Sequence, residues 1–207
     1  MNTHKKALEI KQFPNTREID STTRRLLDEH YEQYQTHVHH ANELVEREKR
    51  ADRTTAHAVF SDLRLLKREL PEALAAVRGY ELFLSQVSAK GGTPHGKLAE
   101  HLKKEFGSVQ DFREELMATA VASRRWVGVV YDLDLQRILC TLGDTPDRLA
   151  TLNQWPLLAL EVTAGSGPAE WSRDRRPHLT RLLDTIDWSA VNRNLEQAIE
   201  SQAAHIA

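Results

Sequence analysis

A long polar stretch near the start of the chain carries its apolar side chains so sparsely that only one narrow stripe is left to bury. Asp20-Ser21-Thr22-Thr23 supplies helix-start residues, and the stretch after it runs without a breaker to about Arg50. Its apolar positions are Leu26, Leu27, Tyr31, Tyr34, Val38, Ala41, Leu44 and Val45, recurring at spacings of three, four and seven. That is the period of one helix face. A stripe this narrow predicts a hairpin of two long helices.

The pattern that follows completes the hairpin. Thr54-Thr55 opens a second helical stretch toward Glu69, Pro71 suits the first turn of a further helix, and that segment runs from Glu72 to Val87. Gly91-Gly92-Thr93-Pro94 then breaks the chain. The expected division is an N-terminal arm and helical hairpin over 1–92 and a second lobe over 93–207.

In the second lobe the periodicity changes. A helix is expected over Lys97–Glu105, stopped by Gly107, and a second one is capped by Ser108 with Asp111 at the capping-box position. Apolar runs at Trp126–Asp132, Arg137–Leu142 and Leu157–Val162 read as three strands, with Asp132-Leu133-Asp134 as a turn. Helices are expected over Glu170–Leu183 and Trp188–Ser201, the latter capped by Asp187. Helices followed by strands and closing helices give an α+β class, with a three-stranded antiparallel sheet flanked by helices.

Composition narrows the function classes. The 207 residues carry a net charge of -2, which removes the electrostatic basis for nucleic-acid binding as a default. Cys140 is the lone cysteine, so no internal disulfide forms, in keeping with a cytoplasmic location. Met1 to Ile10 lacks the apolar run of a signal peptide, and no stretch has membrane-span length. Residues 1–19 read as an extended arm with a turn at Pro14-Asn15.

Several short segments share one likeness. Phe106-Gly107-Ser108-Val109-Gln110-Asp111-Phe112 matches F-G-S-x-x-x-F, and Gln35 to Asn42 matches a helix segment ending in alanine and asparagine. Ala122-Ser123-Arg124 with Trp126, Asp144-Thr145-Pro146, Leu157–Val162, and Arg175-Arg176-Pro177 leading to Asp187-Trp188 follow in order. Together they resemble the iron/manganese superoxide dismutases, from roughly Leu26 to the C-terminus. The resemblance implies a helical hairpin, an α+β lobe, and one metal ion held by three histidines and an aspartate.

Carried over position by position, the ligands are mostly replaced. The first histidine falls on Glu29, and the gateway tyrosine eight residues later falls on His37. The second histidine falls on Tyr80, after Gly79. The family's aspartate becomes Glu161, and its last histidine becomes Gly165, with Thr163 and Ala164 before it. Gly143 lies near the position of a glutamine beside the metal. Shifting the register by one brings His30 to the first position but breaks the match at Gln35–Asn42.

The resemblance therefore implies the fold with an altered centre. Glu29, Gln33 and His37 form an i, i+4, i+8 stripe facing that centre, with Tyr80, Trp126 and Glu161 arriving from other elements. One reading is a polar filling of a dead pocket, with no cofactor. In it the chain is a pseudoenzyme acting by binding, as a homodimer or in a larger assembly. One alternative is an iron- or manganese-dependent oxidoreductase with Glu29, His37, Tyr80 and Glu161 as ligands; the other, a working superoxide dismutase, requires the register above to be wrong at several places. His30 and His37, seven apart, share a helix face with Tyr34 between them; His39 and His40 point elsewhere and read as solvated. Trp126, Trp155 and Trp188 read as packing residues, Cys140 as an inert thiol in a strand, and Arg173-Asp174-Arg175-Arg176 as a solvated charge run.

Overall fold

The narrow apolar stripe does form one helix. In a computed structural model, which describes residues 7–13, 19, 21–163 and 175–206, α1 spans Ser21–Arg50 and α2 spans Asp62–Ser85, packed as an antiparallel hairpin. Leu27, Tyr34, Val38, Ala41 and Leu44 are buried along the seam. Two features depart from the expected pattern. Thr54 to Phe60 is not helical, because local side chains claim its backbone donors. Asp52 Oδ1 accepts the Thr54 N–H at 2.8 Å, and His57 Nδ1 accepts those of Val59 and Phe60 at 3.1 and 3.2 Å. Ser61 then caps α2, accepting the Arg64 N–H at 3.2 Å. Pro71 does not open a new helix but sits inside α2. It lies on the exposed side with Lys67, where water can take up the carbonyl left without a donor.

The chain before α1 is an extended arm laid on the hairpin. The Asn42 amide accepts the Leu8 N–H at 2.9 Å and donates to the Leu8 carbonyl at 3.0 Å. Phe13 packs edge-on to Tyr31 and Tyr34. The turn expected at Pro14-Asn15 lies outside the described residues.

After the hairpin come α3 (Gly96–Phe106), α4 (Val109–Ala122), β1 (Trp126–Asp132), β2 (Arg137–Gly143), β3 (Gln154–Glu161), α5 (Arg176–Asp184) and α6 (Trp188–Ile206). Gly107, at φ 90, ends α3 with its N–H on the Lys103 carbonyl. Ser108 caps α4 by accepting the Asp111 N–H at 3.0 Å, and its hydroxyl donates to Asp111 Oδ2 at 2.6 Å. The strands form one antiparallel sheet in the order β2-β1-β3, the α+β arrangement expected of the sequence. The first part of the helix expected over Glu170–Leu183 falls outside the described residues.

Two details of the sheet position the site. Trp126 pairs with Glu161 in register, which puts both side chains on the face that meets the hairpin. Between Val129 and Val130 the register shifts at Pro156, tolerated on an edge strand. The bulged Leu157 carbonyl accepts from the buried Gln86 amide and, at 3.0 Å, from Asn194. Hairpin and sheet share one continuous core that includes Tyr34, Tyr80, Phe83, Trp126 and Leu160.

Ser108→Ala removes a capping acceptor from α4 and is expected to destabilise by about 1 kcal/mol. Thermal melting should show a fall of roughly 2–4 °C.

Candidate functional site

Glu161 ends β3 with its carboxylate 3% exposed, and everything around it is arranged by that charge. From α1, His30 is fully buried and brings Nδ1 to 3.1 Å from Glu161 Oε2. The two groups are in close polar contact, although neither ring nitrogen of His30 has a hydrogen bond of good geometry. Thr163 folds back on Oε1 with both its hydroxyl and, at 3.3 Å, its N–H. Arg125, just before β1, places Nε 3.9 Å from the same oxygen. Burial pushes the Glu161 carboxyl up, but His30, Thr163 and Arg125 together outweigh it and hold it below the usual carboxylate range.

The aromatic residues close the site. Tyr80 of α2 lies edge-on to Trp126 at 5.0 Å, stacks on His37 at 5.6 Å, and sits 6.3 Å from His30. Burial, with Glu161 adding to it, pushes the phenol well above its ordinary range, so its proton stays on; Arg125 opposes this only in part. Phe83 packs edge-on to His30 at 4.9 Å. Gly79 is what lets Trp126 approach α2: a Cβ there would lie 3.2 Å from the indole ring. His37 is half-buried, and its imidazole is held below its usual range by burial first, then by Arg125 and His40, with Glu161 opposing.

His37, Tyr80, Trp126 and Glu161 are thus brought together, whereas Glu29 and Gln33 are not. Glu29 points outward, its side chain 42% exposed and 3.6 Å from Arg25, and Gln33 is exposed. The reason is angular. At about 100° per residue, His30 lies about 20° from His37 around α1, while Glu29 lies about 80° away. His30 therefore takes the inward position. His39 and His40 are exposed.

Three further residues escaped sequence reasoning. Arg125 and Thr163 answer the Glu161 charge; the need for partners was legible, their identity was not. Arg175, read as part of a solvated run, donates to the Ser123 carbonyl at 2.8 Å and to Val162 at 2.9 Å, tying together the chain on both sides of the site. Arg173, Asp174 and Gly165 lie outside the described residues. Gly143 is buried, and a Cβ there would meet the Thr145 carbonyl at 2.9 Å. Cys140 sits in β2 with its thiol pushed up to about 12 by burial, unreactive as a nucleophile.

Among the described residues no group of three or more His, Cys, Asp or Glu side chains is placed to hold a metal ion. His30 and Glu161 come nearest, and they engage each other. No helix among the described residues is long and apolar enough to cross a membrane.

A family model for the C-terminal domain of iron/manganese superoxide dismutases matches residues 94–194. Among curated proteins, the chain is 31% identical over 122 residues to superoxide dismutase [Mn] 1 of Halobacterium salinarum, covering 58% of this chain and 61% of that protein. It is 24% identical over 209 residues to superoxide dismutase [Fe] of Aquifex pyrophilus, covering 99% of this chain and 97% of that protein. It is 26% identical over 180 residues to superoxide dismutase [Fe] of Pyrobaculum aerophilum, covering 84% of each.

The site predicts acid sensitivity in two steps. With the folded His37 pKa below 6.5, the unfolded chain takes up the proton first, so stability is lost as pH falls below about 6.5. With the folded Glu161 pKa below 4.5, a further loss begins as pH falls past that value. Urea midpoints measured between pH 8 and pH 4 should fall in that order. His37→Gln should flatten the upper part of the profile and Glu161→Gln the lower.

Proposed function

We propose that this chain, which belongs to the iron/manganese superoxide dismutase family, has exchanged the family's metal centre for a buried ionic cluster. It acts by binding rather than by dismutation. The observation that carries the reading is the engagement of Glu161, the one carboxylate at the centre among the described residues, by His30, Thr163 and Arg125.

The residues present do not fit a redox metal held as in the family. A bound iron or manganese ion needs several deprotonated or neutral donors converging on it. Here Tyr80 stands where the resemblance places the second histidine, and burial keeps its proton in place. Glu161 is already partnered, and the nearby Arg125 guanidinium is a permanent positive charge that repels a cation. Phe83 packs edge-on to His30 and Trp126 edge-on to Tyr80, placing apolar surface beside both. The changed-ligand alternative loses its first donor, because Glu29 points to solvent beside Arg25.

On this reading the fold is retained as a scaffold, without a cofactor, in a cytoplasmic homodimer or larger assembly. The division into a hairpin portion over 1–92 and an α+β portion over 93–207 belongs to the same proposal. The near-zero charge favours protein or small-molecule partners over nucleic acid.

The protein purified from cells supplied with iron and manganese is expected to carry neither metal stoichiometrically and to accelerate superoxide decay no more than buffer does. Elemental analysis and a dismutase assay check both. Added iron or manganese should leave the melting temperatures of the wild type and of Glu161→Gln where they were, since a ligand stabilises only a state that binds it. One metal ion per chain that disappears in His30→Ala or Glu161→Gln would overturn the proposal.

A further inference from the structure

On the other side of Trp126 from the ionic cluster, α2 crosses the sheet without filling the space beneath it. Small residues meet there from both sides, Ala75 and Gly79 on the helix against Gly128 and Ala159 on the strands, and a cavity of about 200 Å³ remains. Val130, Leu149 and Leu158 form its walls. The exposed Arg78, Asp147 and Pro156 stand at its rim.

The two glycines cannot close it from where they stand. A Cβ at Gly79 would lie 3.2 Å from the Trp126 ring, and one at Gly128 would lie 2.6 Å from Thr141 Oγ1 and 3.0 Å from Leu149 Cδ2. Each is kept small by a side chain from a neighbouring element, and the gap between helix and sheet is what is left. An unfilled gap of this kind forfeits dispersion contacts and destabilises the fold. Water is a poor occupant, since it needs several polar partners and the inner walls are alkyl groups. A charged molecule would lose its hydration with no inner group to answer it.

We infer that this cavity is a binding site for a small uncharged apolar molecule, with room for a single aromatic ring or a short hydrocarbon. Its size exceeds the roughly 150 Å³ at which a dry apolar cavity admits benzene. Entry is from the rim, between α2 and the segment 147–150 that follows β2. The site touches the cluster's surroundings only through Gly79 and includes none of its charged groups, so it stands or falls independently of the metal question.

The test is thermal melting of the full chain with benzene or indole, and with benzoate as the charged control. Benzene or indole at millimolar concentration should raise the melting temperature by roughly 2–4 °C in a concentration-dependent manner, and benzoate should not. Ala159→Leu should abolish the rise by filling the cavity; if that variant fails to fold, Ala75→Leu carries the same test. Amide resonances of Gly79 and Gly128 should shift with benzene in the wild type. No rise with either apolar probe, an equal rise with benzoate, or a rise retained in the folded filled variant would overturn the inference.

Discussion

A carboxylate as enclosed as that of Glu161 carries a desolvation penalty of several kcal/mol unless other groups answer its charge. Here the answers come from three directions: His30 from α1, Arg125 from the approach to β1, and Thr163 from the chain leaving β3. Each lies on a different element, so the hairpin and the sheet are held in one relative placement by the same charge. Arg175 reinforces that placement by holding the Ser123 and Val162 carbonyls, one on each flank. Removing one of them would leave the buried charge less fully compensated, which is more damaging than replacing the whole cluster with apolar groups.

Around this polar point the packing is aromatic and close. Trp126 reaches α2 only because position 79 has no side chain, and Tyr80 then lies between Trp126 and His37. The neutral phenol and the depressed His37 imidazole keep further charge out of the centre. Among the described residues, a centre so arranged has one anion, a permanent cation near it, and rings. This is the composition of a stabilising cluster, as the proposed function requires.

The sequence was most legible where one periodicity ran uninterrupted. The stripe from Leu27 to Leu44 led directly to α1, and the apolar runs led to three strands in an antiparallel sheet. It was least legible where local bonds compete with propensity. Asp52 and His57 hold Thr54 to Phe60 out of a helix, and Pro71 rides inside α2 on its wet side. The site shows the same division. Matching Gln35 to Asn42 located Glu29 along the chain, but position along a chain does not determine direction around a helix. One residue turns the side chain by about 100°, and that step exchanged Glu29 for His30. The seven-residue spacing of His30 and His37 held the signal. Arg125 and Thr163 had no comparable signal, because Arg125 reaches Glu161 only through the β1–β3 register and Thr163 only through the path of the backbone after β3.

On the proposed function, Glu161 is answered from within the chain and not by a metal ion. A double-mutant cycle on His30 and Glu161, measured by urea unfolding in the presence of a chelator, tests it most directly. A coupling of about 0.5–3 kcal/mol between the two side chains is expected, unchanged when iron or manganese replaces the chelator. A coupling that is absent with chelator and appears only with metal would contradict it.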